Sequence, residues 1–188
     1  MRRLSVFNTV TLDGYFTGID GDMSWAHAGS DDLEFAAFTA GNAQGGGALV
    51  FGRVTYAMMA GWWPTPAAAA AMPVVAERMN GLAKYVFSRT LDVATWANTT
   101  LLKGDLVAQM RALKNEDGPD MTILGSGTIV AQLAGAGLVD AVQVVVAPIA
   151  LGAGRTMFDT MVPRLNLSLT GSRAFKNGKV VLSYAPTP

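Results

Sequence analysis

Thr122-Ile-Leu-Gly-Ser-Gly-Thr-Ile-Val-Ala-Gln-Leu133 decides how this chain is read. An apolar run, Met121 to Leu124, meets a turn of small residues and continues with helical spacing. A strand entering a helix through Gly125-Ser126-Gly127 leaves backbone N–H groups free at the helix N-terminus, where the dipole favours an anion. Small side chains let a pyrophosphate approach the backbone. The same residues also make a plain strand-to-helix turn, because glycine takes conformations closed to other residues. Two nucleotide fingerprints do not fit. G-x-G-x-x-G needs glycine where Val130 stands, and the acid expected about twenty residues on is missing. No Gly-Lys-Ser/Thr follows, so this is not a Walker loop.

The flanking segments set the fold class. Leu4 to Val10 alternates as a first strand and ends in Thr11-Leu-Asp-Gly-Tyr15 and a Gly/Asp loop. Ser30 or Asp31 can cap a helix running to about Ala43, with Leu33, Phe35, Ala37 and Phe38 available to a core. Ala48 to Phe51 and Tyr85 to Phe87 are short, wholly apolar runs of the kind found in buried strands. Between them lie a helix from Val54 to about Ala60, a Trp-Pro loop, an alanine filler at Ala67 to Ala71 that reads as mobile, and a helix from Val74 to Leu82. Asn98 to Leu102 is a strand, Asp105 caps a helix with Leu106, Met110 and Leu113 on one face, and Val139 to Ala147 is a long strand. Asn177-Gly178 between Arg164–Phe175 and Lys179–Tyr184 is a hairpin signal. No repeat or linker divides residues 1–188. The expectation is one α/β domain with about eight strands and four or five helices. Its sheet is mixed but mainly parallel, has helices on both faces and ends in an antiparallel hairpin.

Composition narrows the function. Hydrophobic residues make up 51% of 188 positions and charged residues 15%, against about 25% charged in an average domain. That balance points to a well-buried core. Acidic and basic residues number 14 each, so no global basic field attracts nucleic acid. With no cysteine and His27 as the single histidine, no metal site is expected, and a Ser-His-Asp hydrolase is disfavoured. No long apolar span suggests a membrane helix, and the N-terminal segment does not read as a signal peptide. A cytoplasmic protein without membrane or nucleic-acid partners is the expectation.

Two further strand exits resemble the first. Ala48–Phe51 leaves through Gly52-Arg53-Val-Thr55, and Tyr85–Phe87 through Ser88-Arg89-Thr90. Each places an arginine and a hydroxyl just past a strand end, where open α/β sheets bind ligands. The guanidinium fork suits a phosphate monoester. Singly, each arginine reads as a solvated side chain; together with the Gly-rich turn they suit a phosphorylated dinucleotide.

The ordered set Thr11–Tyr15, Phe51–Tyr56, Tyr85–Thr90, Ile123–Gly127, Leu138–Asp140 and Pro148–Gly152 resembles the dihydrofolate-reductase-like fold, specifically the group related to the reductase domain of riboflavin biosynthesis. The resemblance implies an NADPH site across the strand ends and a homodimer. Gly125, Ser126, Gly127 and Thr128 would hold the pyrophosphate. Gly52, Arg53 and Thr55 would hold the central phosphates and ribose, and Ser88 and Arg89 the adenosine 2′-phosphate. Val10, Thr11 and the Gly18–Asp22 loop would lie beside the nicotinamide. The chain departs from the fused riboflavin enzyme, whose zinc deaminase domain needs cysteines this sequence lacks. Classical dihydrofolate reductases carry a pterin-facing carboxylate on the first helix. Here Asp31, Asp32 and Glu34 crowd that helix start and read as cap and surface.

Asp13 is the candidate catalytic residue, orienting substrate or relaying a proton, although Asp-Gly is also a common turn pair. Trp25 and Trp62 are candidate substrate-binding residues; Trp25 equally suits a plug at the core edge. Tyr56 reads as packing, and His27 and Arg155 as loop surface. Two functions remain open. One is an NADPH-dependent reductase acting on a small C=N or C=O substrate, in which orientation dominates. The other is a nucleotide-binding or structural module that kept the fold without turnover, since fold likeness alone does not establish activity.

Overall fold

The computed structural model describes residues 1–29, 32–44, 47–159 and 161–187; the expected caps Ser30 and Asp31 lie outside them. The strands among the described residues are β1 (Leu4–Thr11), β2 (Tyr15–Thr17), β3 (Ala48–Gly52), β4 (Lys84–Phe87), β5 (Thr99–Leu102), β6 (Met121–Leu124), β7 (Ala141–Ala147), β8 (Arg155–Thr156), β9 (Asn166–Ala174) and β10 (Val180–Thr187). The helices among the described residues are α1 (Leu33–Gln44), α2 (Arg53–Trp62), α3 (Pro66–Ala71), α4 (Pro73–Gly81), α5 (Leu106–Asn115) and α6 (Gly127–Gly135), with a 3-10 turn at Ser24–His27.

Eight strands form one sheet in the order β5-β4-β3-β6-β1-β7-β10-β9. Pairing from β5 to β7 is parallel, and β10 runs antiparallel to both β7 and β9. This is the expected mixed sheet with its terminal hairpin at one edge. β2 and β8 pair separately as a two-stranded antiparallel ribbon, which the sequence pattern did not reveal.

Strand alternation sends side chains to opposite faces. In β3, Ala48 and Val50 join one core with Met110 and Leu113 of α5 and Ile129, Val130 and Leu133 of α6. Leu49 and Phe51 join a second core with Tyr56 of α2, Met79 of α4 and Trp96. Val6 lies on the α5/α6 side, whereas Phe7 packs with Phe35 and Phe38 of α1 against Val145, Phe175 and Val181. Helices therefore cover both faces, with α5 and α6 on one and α1, α2 and α4 on the other.

Two local expectations are corrected. The alanine filler is helical as α3: alanine has the highest helix propensity, Pro66 occupies the first turn, and the Thr65 side chain accepts the Ala68 N–H at 3.2 Å. In α1, Leu33 and Ala37 are exposed rather than core. Of the four expected core residues, Phe35 and Phe38, three residues apart and so on one helix face, pack against the sheet. Asp32 caps that helix, its Oδ1 accepting the N–H groups of Glu34 at 2.9 Å and Phe35 at 3.1 Å.

Several buried cations escaped sequence reading. Lys114 pairs with Asp140, which also accepts the Leu4 N–H at 2.6 Å. Lys84 is fully buried, and its Nζ donates to the carbonyls of Asn80 (3.0 Å), Leu82 (2.7 Å) and Ala97 (3.1 Å), 4.4 Å from the Trp96 ring. Two of those carbonyls belong to the C-terminal end of α4, where the helix dipole favours a cation. Burial still pushes the ammonium pKa down to about 8.

Candidate functional site

The parallel strands place three chain exits side by side. Gly52 pairs with Phe87 across β3 and β4, and Val50 with Ile123 across β3 and β6. Arg53, Ser88-Arg89 and Gly125–Gly127 therefore leave the same end of the sheet. Adjacent strands lie about 4.8 Å apart, so the outer two exits are roughly 10 Å apart. Arg53 and Arg89 are exposed, and neither joins an ion pair among the described residues. The Ser88 Oγ accepts the N–H groups of Thr90 at 3.2 Å and Leu91 at 2.9 Å, folding its own turn.

The Gly-rich turn is held from three sides. Gly125 and Ser126 are both left-handed, each with φ of 58°. The Gly125 N–H donates to Asn8 Oδ1, and Asn8 Nδ2 donates to the Gly125 carbonyl at 3.0 Å. The Ser126 N–H donates to Thr55 Oγ1 at 3.1 Å. The Ser126 hydroxyl accepts the Gly52 N–H at 2.8 Å and donates to the Leu124 carbonyl at 3.0 Å. The amides of Gly125 and Ser126, expected at the pyrophosphate, thus point into the protein. Among the described residues, the Gly127 and Thr128 N–H groups at the start of α6 have no hydrogen-bond partner. Phe16 and Met157 flank Gly127, where an added Cβ would lie 3.0 Å from the Phe16 ring.

At the end of β1, the Thr11 hydroxyl donates to Asp13 at 2.5 Å and accepts the Tyr15 N–H at 2.9 Å. Asp13 also accepts the amides of Leu151 (3.0 Å) and Gly152 (2.7 Å). The Thr11 hydroxyl first, then the Gly152 amide, holds this exposed carboxyl below its ordinary value. Asp13 therefore pins the loop after β7 to the turn after β1. Val10 lines a pocket of about 280 Å³ with Gly14, Val144, Thr156, Met157 and Phe158.

The tryptophans occupy different settings. Trp25 is buried in the 3-10 turn and its indole donates to the Asp22 carbonyl at 3.3 Å, which fits the plug reading. Trp62 is 45% exposed at the end of α2, in line with exposed Met58 and Val54; Trp63 packs into the second core. The Tyr56 hydroxyl accepts the Trp96 N–H at 2.9 Å, a packing role. Asp32, besides capping α1, accepts the Asn177 N–H at 3.0 Å. The Phe35 amide chiefly lowers its pKa. Glu34 pairs with Arg173 at 2.7 Å on the surface. Both acids thus serve as cap and surface.

Asn8 went unread in the sequence, although a lone carboxamide within an alternating apolar strand was a signal for it. No described helix is long and apolar enough to cross a membrane.

The family model of the RibD C-terminal domain matches residues 2–181. The Bacillus subtilis (strain 168) protein YyaP, itself uncharacterized, is 25% identical over 183 residues, spanning 97% of this chain and 94% of its own length. A protein of Shewanella sp. PV-4 assigned to riboflavin biosynthesis has a similar structure. Its TM-score is 0.71 at 20% identity, with 99% of each chain covered. Dihydrofolate reductase from Enterococcus faecalis, complexed with NADP(H), aligns with a TM-score of 0.65 at 15% identity, covering 99% of this chain and 97% of that one.

Proposed function

The chain belongs to the family of RibD C-terminal domains, and on that premise we propose that it is an NADPH-dependent reductase acting on a small C=N or C=O substrate of pterin or pyrimidine type. One observation carries this reading. Two exposed arginines without acidic partners among the described residues, and a helix start with two amides that no described residue bonds, stand on three neighbouring strand exits. This donor set matches a dinucleotide with an extra phosphate monoester. Arg53 and the N–H groups of Gly127 and Thr128 would bind the central phosphates, and Arg89 the 2′-phosphate. NADPH, when bound, supplies the hydride. The chain supplies orientation: Val10 and Thr11 border the nicotinamide end, Asp13 fixes the two loops there, and Phe16 and Met157 shield the helix start from water.

The test is a titration with NADPH and NADH, followed by nicotinamide fluorescence, for wild type, Arg53→Ala and Arg89→Ala. Charge-assisted hydrogen bonds contribute about 1.5 to 3 kcal/mol each, so Arg89→Ala should cost NADPH roughly ten- to a hundredfold in affinity and NADH little. Failure of wild type to bind either nucleotide at millimolar concentration ends the reductase reading.

A non-catalytic nucleotide-binding module is the second reading. The observation favouring it is that Asp13, Asp32 and Glu34 are each committed to structural partners. Such a module would bind NADPH and oxidise none with any acceptor.

The partner we propose is a second copy of the chain. On the α5/α6 side of β7, β10 and β9, the positions of Val144, Val146, Val180, Leu182 and Leu169 form an apolar surface. Of these, Leu169 is 55% exposed and the others are half-buried. Among the described strand residues no charged one shares that face, where a solvated sheet face normally alternates with polar residues. The zero net charge of the chain opposes no self-association.

A further inference from the structure

We infer that Asn8 is the positioning residue of the nucleotide site: its carboxamide sets the Gly125-Ser126 turn so that the Gly127 and Thr128 amides face the phosphates. This rests on the nucleotide-binding reading above. The last register pair between β1 and β6 is Phe7 with Leu124. One residue later the β6 chain leaves the sheet through two left-handed residues. The backbone ladder ends there, and the Asn8 side chain replaces it. Its oxygen accepts the Gly125 N–H, while its nitrogen donates to the Gly125 carbonyl at 3.0 Å and to Met157 Sδ at 3.1 Å. Asn8 is buried, so water cannot substitute for these bonds.

The geometry demands an acceptor and a donor side by side on one planar group. A carboxamide meets that demand, and so does a neutral carboxylic acid. An ionised carboxylate meets half of it: it accepts the N–H but sets a second lone pair against the Gly125 carbonyl. A hydrocarbon leaves both backbone groups buried and unpaired. The groups facing the carboxamide, Gly125 and Met157, are uncharged. Titration of a carboxyl placed there would therefore report its own protonation.

Asn8 also joins two parts of the site. Met157 follows β8, and the Met157 carbonyl and Phe16 of β2 flank Gly127. One side chain thus sets both the turn that aims the helix start and Met157, which follows the ribbon beside it.

The experiment titrates wild type, Asn8→Asp and Asn8→Leu with NADPH between pH 5.5 and 8, with circular dichroism melting at each pH. At pH 8, both variants should bind about tenfold or more weakly, as expected for one unmade buried hydrogen bond. Only Asn8→Asp should regain affinity as the pH falls and its carboxyl becomes protonated. Dividing by the wild-type curve removes titration of the nucleotide itself. A purely structural contribution would lower affinity in both variants without pH rescue, and that result overturns the inference. So does wild-type affinity in Asn8→Asp at every pH. If Asn8→Asp does not fold, Asn8→Ser replaces it, and wild-type affinity there would equally refute the inference. Absence of nucleotide binding by wild type instead removes the nucleotide reading itself, and the inference with it.

Discussion

Replacing Gly125 by alanine tests whether the turn before α6 is as constrained as its geometry implies. Gly125 has φ of 58°, and an added Cβ would stand 2.7 Å from Thr55 Oγ1, 2.8 Å from Thr55 Cγ2 and 3.3 Å from Thr55 Cβ. Left-handed backbone costs alanine roughly 1 to 2 kcal/mol. Overpacking against Thr55 adds about 1 to 3 kcal/mol, because Thr55 is buried and its oxygen holds the Ser126 amide. The sum is roughly 2 to 5 kcal/mol, or a Tm lower by about 5 to 15 °C in a chain of this size. Gly14→Ala is the control. Gly14 has φ of 88° but nothing within 4 Å of the added Cβ, so it should show the backbone cost alone. Urea unfolding followed by tryptophan fluorescence gives both values. Thr55→Ala in the Gly125→Ala background should restore part of the loss by removing the clash. The reasoning is refuted if Gly125→Ala costs no more than Gly14→Ala, or if deleting the Thr55 side chain leaves that cost unchanged.

Three other outcomes are expected. Lys84, shifted down to about 8 by burial, binds fewer protons folded than unfolded between pH 8 and its ordinary 10.5. Stability of wild type should therefore rise with pH across that window relative to Lys84→Met, and parallel urea midpoints would contradict this. Asp13→Asn should speed hydrogen exchange at the Leu151 and Gly152 amides, and in the reductase reading should lower turnover more than NADPH affinity. Unchanged exchange would show that Asp13 does not pin the loop. Leu169→Glu should halve the mass measured by light scattering if the uncharged sheet face joins two copies; a wild-type monomer refutes that pairing.

The sequence displayed what periodicity and turn chemistry control. Apolar runs at Ala48–Phe51 and Tyr85–Phe87 became adjacent parallel strands, and Asn177-Gly178 joined a hairpin. The row of strand exits was readable because topology, rather than contact detail, places it. What stayed hidden depends on long-range partners. No local pattern announces that Asn8 meets Gly125, 117 residues away, or that the amides of Gly125 and Ser126 point inward. The ribbon of β2 and β8 was missed because two such short strands carry too few residues for an alternation signal. Alanine at Ala67–Ala71 misled through its lack of side-chain pattern, although Thr65 and Pro66 marked a helix start. Lys84 and Lys114 resembled surface lysines, since their acceptors are carbonyls and a carboxylate brought in by tertiary folding.

The central place of β1 bears on how the chain assembles as it leaves the ribosome. Its neighbours β6 and β7 lie far along the chain: Asn8 bonds Gly125 across 117 residues, and Leu4 bonds Asp140 across 136. At about 5 to 20 residues per second, β1 waits roughly 7 to 27 s for both partners to be synthesised. Meanwhile β3 and β4 can pair, but the gap that β1 must fill stays open. Folding should be slow, with nearly the whole sheet completed in one late step, and during synthesis an apolar strand is left for chaperones to shelter.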